Sequence, residues 1–175
     1  MTLEEQGNFL FKYRGQFPIL LFLSSIPFIN FISFNNYNEI FIFSSIFFFT
    51  SGYLIRFYTI ATTPKNTSGR NTKKQIAETL NTKGIYSLVR NPLYLGNYFI
   101  WLGVSLYTFN IYFLIYMSFI FYLFYSRIIF AEECFLRKKF DKQYNQWAQQ
   151  TNSFFPESFN FTKSQIPFSY ISILR

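Results

Sequence analysis

Four apolar runs, each close to the length that crosses a lipid bilayer, constrain this chain of 175 residues more than any other feature. A helix needs about 20 residues to cross the hydrocarbon core, with a range of roughly 17–25. Within lipid each run must be helical, because every backbone polar group needs a partner inside its own segment. The sequence therefore predicts an all-α, polytopic membrane protein with about four transmembrane helices, at 17–34, 40–60, 93–109 and 111–130.

The basic residues indicate how these helices are oriented. The chain has 16 Lys and Arg, and none of them lies in the link 35–39 or in the turn 109–110. All of them lie on the other side of the predicted membrane or at a helix end that faces that side. Since Lys and Arg concentrate in cytoplasmic loops, we predict a multi-pass protein with both termini cytoplasmic. The segments 61–92 and 131–175 are then cytoplasmic, and 1–175 forms a single domain.

Composition excludes several classes of function. Only 14% of the residues are charged, against about 25% in soluble domains. The net charge of +8 therefore indicates an anionic membrane surface rather than nucleic acid. There is no histidine and only one cysteine, Cys134, so a histidine base, histidine metal ligands and an internal disulfide are all excluded. No metal site is predicted, and the sequence indicates no protein partner.

An amphipathic helix is predicted at 131–150, directly after the fourth run. Its apolar face is formed by residues that recur at spacings of four, four and three, namely Leu136, Phe140, Tyr144 and Trp147. Such spacing places all of them on one side of a helix. From the pattern alone, this face is interpreted as lying on the membrane surface.

The segment from Gly84 to Asn97, with the sequence GIYSLVRNPLYLGN, is the most informative stretch. Pro92 suits the first turn of a helix, and Gly96 allows another backbone or a ligand to approach closely. Arg90 places a fixed cation at the membrane interface. On physical grounds alone the segment reads as a topology-setting arginine beside an aromatic belt.

This segment resembles a motif of one family of membrane enzymes. The pattern G-x-Y-x-x-x-R-H-P-x-Y-x-G opens a helix in the isoprenylcysteine carboxyl methyltransferase and phospholipid N-methyltransferase superfamily. A second family element is a Glu-Glu pair that ends the next helix, followed by apolar and aromatic positions. The matching residues here are Glu132, Glu133, Leu136, Phe140, Tyr144, Trp147 and Pro156. The chain departs from the pattern at Asn91, where the family has His, and at Asp141, where it has Gly.

The resemblance implies S-adenosylmethionine as the cofactor and methyl transfer to a lipid-linked or apolar acceptor at the cytoplasmic face. Arg90 would pair with the carboxylate of the cofactor, and Glu132 or Glu133 would accept hydrogen bonds from its ammonium or ribose. An aromatic face would meet the sulfonium, with Tyr94, Tyr98 and Trp101 as candidates. The candidate catalytic residues are Arg90 and Glu133, and the candidate cofactor-binding residues are Tyr86, Arg90, Asn91, Pro92, Tyr94, Leu95, Gly96, Glu132 and Glu133.

Asn91 bears on the mechanism, because its amide can replace the hydrogen bonds of a neutral histidine but cannot act as a base. Asp141 replaces a turn glycine, yet the helical pattern continues through it. Arg90 and Glu133 are expected near the interface, where their removal would cost little stability. The methyl acceptor is expected to be a membrane lipid or a lipid-linked molecule, and an amine acceptor would need a base other than histidine or would arrive deprotonated.

Other interpretations remain open at this stage. Some membrane sterol and enoyl reductases, which use NADPH, have a similar C-terminal layout, although Leu93 and Asn97 stand where they have Asn and Glu. A non-catalytic relative is the third possibility. The Glu pair could simply be balanced by basic neighbours, Arg127, Arg137 and Lys138. Arg56 could be a helix-end residue reaching for the interface or an additional anchor for the cofactor.

Overall fold

The structure, a computed structural model, describes residues 1–29, 38–64 and 75–173. These residues form helices and two isolated bridges, with no strand among them. The α-helices are α1 (Leu3–Tyr13), α2 (Phe17–Ile29), α3 (Glu39–Thr62), α4 (Pro92–Tyr107), α5 (Ile111–Gln150) and α6 (Tyr170–Ile173). The prediction of an all-α fold is confirmed for this part of the chain. The end of the first predicted run (30–34) and most of the link 35–39 lie outside the described residues, as does part of the loop 61–92.

Two of the described helices, α3 and α5, are long and apolar enough to cross a membrane. α3 has 24 residues and closely matches the predicted run 40–60. In α5 the apolar stretch ends at Phe130, and the charged residues follow it. α2 is apolar but shorter, and α4 has 16 residues. The structure thus provides two candidate spans, while the crossings at 17–34 and 93–109 stay predictions.

Glycines allow α3 and α4 to pack in close contact. A Cβ atom on Gly52 would lie 2.6 Å from the carbonyl oxygen of Gly96, and one on Gly103 would lie 2.7 Å from the backbone of Ser45. Real Cβ atoms do not approach so closely. The Ser45 hydroxyl also donates a hydrogen bond to the Gly103 carbonyl at 2.8 Å. Gly96 therefore allows the α3 backbone to approach α4 closely, and this contact fixes the start of α4 beside the end of α3.

The polar N-terminus forms a helix that the apolar pattern did not predict. Thr2 caps α1, and the Glu5 side chain accepts a hydrogen bond from the Thr2 backbone in return. This reciprocal pair is a known helix-start signal. α1 packs against α5, where a Cβ atom on Gly7 would lie only 2.1 Å from the Arg127 carbonyl oxygen. The helix ends at Tyr13, and Arg14 directly after it lies beside Glu132 of α5.

α5 is kinked at Asp141, whose φ of 35° and ψ of −106° are not helical. The expectation that the helical pattern continues unbroken through this position is wrong. A positive φ is the conformation that glycine adopts most readily, which explains why the family pattern has glycine there. The kink turns the last part of α5 back towards the protein.

The apolar face after the kink packs inside the protein rather than on a membrane surface. Tyr144 is 0% exposed and Trp147 is 9% exposed. Both pack against Tyr86, with Leu136 and Phe140 partly buried around them. The Trp147 indole also donates a hydrogen bond to the Tyr86 carbonyl at 3.1 Å. The interpretation of this face as membrane-lying is therefore wrong, because the loop before α4 covers it.

Candidate functional site

The loop before α4 is held in place by the chain that follows α5, residues 151–173, here called the C-terminal strap. The backbone amides of Arg90 and Asn91 donate to the carbonyls of Asn152 and Ser153 at 2.9 and 3.1 Å. Gly84, with φ of 65°, donates to the Thr162 carbonyl at 2.8 Å. Glycine suits this left-handed conformation. The strap thus sets the path of the loop that carries the first motif.

Arg90 is the central residue of a hydrogen-bond network between the two motifs. Its Nε and Nη2 donate to the two carboxylate oxygens of Glu133 at 3.0 and 2.9 Å. Its Nη1 donates to the carbonyls of Ala148 and Thr151 at 3.0 and 2.6 Å. This bidentate pairing is the strong form of the arginine–carboxylate interaction, and it joins the loop, α5 and the strap.

Asn91 and Ser153 complete the same network. The Asn91 amide donates to Glu133 Oε1 at 3.0 Å, and the Ser153 hydroxyl donates to the same oxygen at 2.8 Å. Burial alone would raise the pKa of Glu133, but the hydrogen bonds from Arg90, with those from Ser153 and Asn91, lower it. Glu133 is therefore held as a carboxylate whose oxygens are both engaged.

A cavity of about 580 Å³ opens beside this network, between the ends of α3, α4 and α5. Ligand-binding pockets typically measure about 300–1,000 Å³. α6 contributes Ser172 and Ile173 to its wall. The wall carries both charged and aromatic side chains, including Arg14, Arg56, Tyr86, Arg90, Asn91, Pro92, Tyr94, Asn97, Trp101, Tyr125 and Glu132.

Glu132 is the buried carboxyl of this cavity. The residue is 4% exposed, and its Oε1 lies 3.7 Å from Arg14 Nη1. That distance is too long for a hydrogen bond, and Oε1 has no hydrogen-bond partner among the described residues. Burial raises the pKa of Glu132, while Tyr94 and Arg14 act in the opposite direction. A buried acceptor without a donor is costly and is well placed to receive a donor from a ligand.

Arg56 of α3 is another arginine of the cavity wall. Its Nη1 donates to the Asn97 side-chain oxygen and, at 3.5 Å, to the Leu93 carbonyl, so it reaches the first and second turns of α4. The Asn97 amide donates in turn to the Tyr125 hydroxyl at 3.4 Å. The Arg56 guanidinium thus reaches from α3 across to α4, and its interpretation as an interface-seeking helix end stays a prediction.

The structure brings six of the nine predicted site residues to the cavity wall. These are Tyr86, Arg90, Asn91, Pro92, Tyr94 and Glu132. Glu133 belongs to the network behind the wall, Gly96 contacts α3, and Leu95 is buried. Of the aromatic candidates, Tyr94 and Trp101 line the cavity, whereas the Tyr98 ring packs against Phe121. Contact of any of these residues with a cofactor stays a prediction.

The partners of the two glutamates differ from those suggested by the sequence. Arg127 donates to Gln6, and Lys138 donates to Glu4 at 2.6 Å. Arg137 lies over the Tyr144 ring. Among the described residues, the ion pairs of the two glutamates come instead from Arg14 for Glu132 and from Arg90 for Glu133. Arg14 was missed because it lies far away in the sequence and outside both motifs.

Two of the described helices are long and apolar enough to cross a membrane, and helix ends surround a cavity whose wall carries charged and aromatic side chains. These features fit a membrane-associated protein with a ligand site. The comparison with protein families identifies the family. A family model described as phospholipid methyltransferase matches residues 40–143, which is more than half of the chain. The chain therefore belongs to the phospholipid methyltransferase family, as the resemblance of its two motifs implied. No curated protein matches the chain significantly.

The family match covers α3, α4 and α5 to just past the kink, together with the first motif and the part of the second motif from Glu132 to Phe140. Tyr144, Trp147 and Pro156 of the second motif lie beyond it. Methyl transfer with a lipid-type substrate is the activity that this family implies. Arg14 and the C-terminal strap lie outside the matched residues, although both contribute to the cavity or its support. The site therefore combines family elements with parts of the chain beyond the match.

Proposed function

We propose that the protein transfers a methyl group from S-adenosylmethionine to a lipid-linked or apolar acceptor at the cytoplasmic face of the membrane. One observation carries the proposal. The two family motifs meet at one cavity, where Glu132, whose Oε1 accepts no hydrogen bond from the described residues, lines the same wall as Tyr94 and Trp101.

The residues of the cavity fit the functional groups of the cofactor. Glu132 can accept a hydrogen bond from the ammonium or a ribose hydroxyl. Tyr94 and Trp101 offer aromatic faces to a sulfonium, which is attracted to the π-system of a ring. Arg14 provides a guanidinium group for the carboxylate. These four side chains all line the cavity of about 580 Å³.

S-adenosylmethionine, when bound, supplies a methyl group on a positively charged sulfur. The protein needs only to align the acceptor with that group and to exclude water, because positioning and desolvation provide most of the acceleration in such a displacement. The buried position of Tyr94 and Glu132 supports this role. An amine acceptor must lose a proton, and the Asn91 amide cannot take it.

In this proposal Arg90 and Glu133 act mainly by positioning. Their hydrogen bonds hold Asn91 and the start of α4 against the strap, and so they orient Tyr94 and Glu132 towards the cavity. The sequence-based hypothesis that Arg90 and Glu133 contact the cofactor directly stays a prediction. A loss of cofactor affinity without a loss of stability in variants of either residue would support direct contact.

The topology belongs to the same proposal. We place four crossings at 17–34, 40–60, 93–109 and 111–130, with both termini cytoplasmic, because the basic residues cluster at one end. A reporter fused at Asn110, between α4 and α5, is expected to signal from outside. A reporter at Asn36, which is outside the described residues, is expected to do the same. A cytoplasmic signal at either position would contradict four crossings.

Calorimetry on detergent-solubilised protein tests the cofactor directly. S-adenosylmethionine is expected to bind the unmodified protein. Glu132→Gln, which keeps the shape of the side chain, is expected to weaken binding by about ten- to a hundredfold, since one charge-assisted hydrogen bond is worth about 1.5–3 kcal/mol. Glu39→Gln, at the opposite end of α3, is the matched control and is expected to change nothing.

The outcomes separate the competing functions. NADPH is expected not to compete with S-adenosylmethionine, and competition would favour the reductase interpretation. If neither cofactor bound, the protein would be a non-catalytic relative. Unchanged affinity in Glu132→Gln would mean that this carboxyl is not part of the cofactor site, even if methyl transfer itself were observed.

A further inference from the structure

The cavity carries more positive than negative charge. Three guanidinium groups line it, from Arg14, Arg56 and Arg90. Arg14 pairs with Glu132, and Arg90 pairs with Glu133. Arg56 makes no salt bridge with any carboxylate in the part of the chain that the structure describes. Among the described residues, one cation in the cavity wall is therefore left without an anionic partner.

The geometry of Arg56 leaves donor groups for a ligand. Within residues 1–29, 38–64 and 75–173, its hydrogen bonds all start from Nη1, which donates to Asn97 and to the Leu93 carbonyl. Nη2 and Nε make no hydrogen bond with these residues. Asn97 holds the guanidinium at the cavity wall and is itself anchored to Tyr125. The arginine is thus fixed in position with its free edge available, which suits bidentate binding of a phosphate or carboxylate.

The charge of the cofactor makes this excess larger. S-adenosylmethionine has a sulfonium and an ammonium against a single carboxylate, so its binding would add positive charge to a cavity that already has an excess. Like charges in a partly dry site repel strongly. An acceptor that brings an anionic group would remove this repulsion, whereas an uncharged acceptor would not.

We propose that Arg56 is the subsite for a phosphate group carried by the acceptor lipid. The proposal rests on the function proposed above and makes that function more specific. Arg56 contacts α4 one to two turns inside the helix, beyond the loop that holds Arg90. The cofactor would then occupy the side of the cavity near Glu132, and the lipid phosphate would occupy the side near Arg56 and Asn97.

Binding of short-chain lipids to the detergent-solubilised protein tests this proposal, with dihexanoyl phosphatidic acid and dihexanoylglycerol as probes. The unmodified protein is expected to bind the phosphate-bearing lipid at least about tenfold more tightly. Arg56→Gln is expected to abolish this preference without weakening S-adenosylmethionine binding, because removal of a cation from the cavity does not add repulsion against the cofactor. Arg56→Lys, which keeps the positive charge, is expected to retain part of the preference for the phosphate-bearing lipid. Arg127→Gln, an arginine outside the cavity wall, is the matched control and is expected to retain all of it.

The contrary results are distinct. The proposal would be overturned if the unmodified protein did not prefer the phosphate-bearing lipid, a result that does not depend on the folding of any variant. It would also be overturned if Arg56→Gln kept that preference. Inorganic phosphate binding as tightly as phosphatidic acid would show a site for free phosphate and would overturn the lipid assignment. Loss of S-adenosylmethionine affinity alone in Arg56→Gln would assign Arg56 to the cofactor carboxylate. If the unmodified protein preferred the phosphate lipid yet bound no S-adenosylmethionine, the proposed function would fail while the anion subsite stood.

Discussion

Removal of the Arg90 side chain is expected to destabilise the protein strongly. The side chains of Arg90 and Glu133 are only 14% and 15% exposed, so the sequence-based expectation of two interfacial groups with little effect on stability does not fit the structure. Breaking a buried pair by removing one partner costs about 3–5 kcal/mol, because the other charge is left without compensation. Arg90→Ala also removes the donor to Ala148 and Thr151, so we expect the upper part of this range.

The measurement is a double-mutant cycle of reversible unfolding in mixed detergent micelles, with Arg90→Ala, Glu133→Ala and the double variant. The double variant is expected to be more stable than the sum of the single effects predicts, with a coupling of about 2–3 kcal/mol between the two residues. Lys138→Ala is the control, since it removes a salt bridge to Glu4 whose lysine is 69% exposed. Exposed pairs contribute little, and we expect no measurable change.

A cycle without coupling would refute this reasoning, as would an Arg90→Ala protein of unchanged stability. If stability were unchanged while S-adenosylmethionine affinity fell at least about tenfold, the guanidinium would be a direct ligand of the cofactor. The positioning role would then be wrong. Affinity must be expressed per folded molecule, so that unfolding is not mistaken for weaker binding.

Three further predictions concern single positions. Burial raises the pKa of Glu132, and a cationic ligand favours its carboxylate form. Cofactor affinity is therefore expected to fall with decreasing pH, and the fall should start at a higher pH than it would for an ordinary glutamate. Calorimetry on Glu132→Gln should show no such fall. Gly52→Ala, which would place a Cβ 2.6 Å from the Gly96 carbonyl oxygen, is expected to lower unfolding free energy by about 1–3 kcal/mol, whereas Gly15→Ala, with no atom within 4 Å, should not. Asp141→Gly is expected to raise unfolding free energy by about 1 kcal/mol, because it relieves a positive φ; an unchanged or lower stability would show that the kink is not strained.

The helices with strong apolar patterns were predictable from the sequence. The predicted run 40–60 became Glu39–Thr62, and 93–109 became Pro92–Tyr107. Hydrophobic runs and helix-start residues are local signals, so they predict a helix without any knowledge of the segment that the helix packs against. α1 was missed although it has a capping signal in Thr2 and Glu5, because its polar sequence becomes a packed helix only against α5.

The candidate site was predictable in its motifs but not in its pairing. Arg90, Asn91 and the Glu pair were identified from sequence, and the structure brings them together. The partner of Glu132 is Arg14, which lies in another part of the chain with no motif around it. Ion pairs across long sequence distances depend on how helices dock, and residue types alone do not encode this. The strap was missed for the same reason, since its backbone bonds leave no periodic pattern.

The C-terminal strap has a consequence for the order in which the protein becomes functional. The ribosome makes the helices first and residues 151–173 afterwards, yet the Arg90 and Asn91 amides bind the carbonyls of Asn152 and Ser153. The Ser169 amide binds the Ala61 carbonyl close to the cavity. A nascent chain that has already inserted its apolar helices would therefore still have an unfinished pocket. In the proposed topology, maturation of the site would follow insertion of the helices, and a chain cut after Gln150 is expected to insert without forming the pocket.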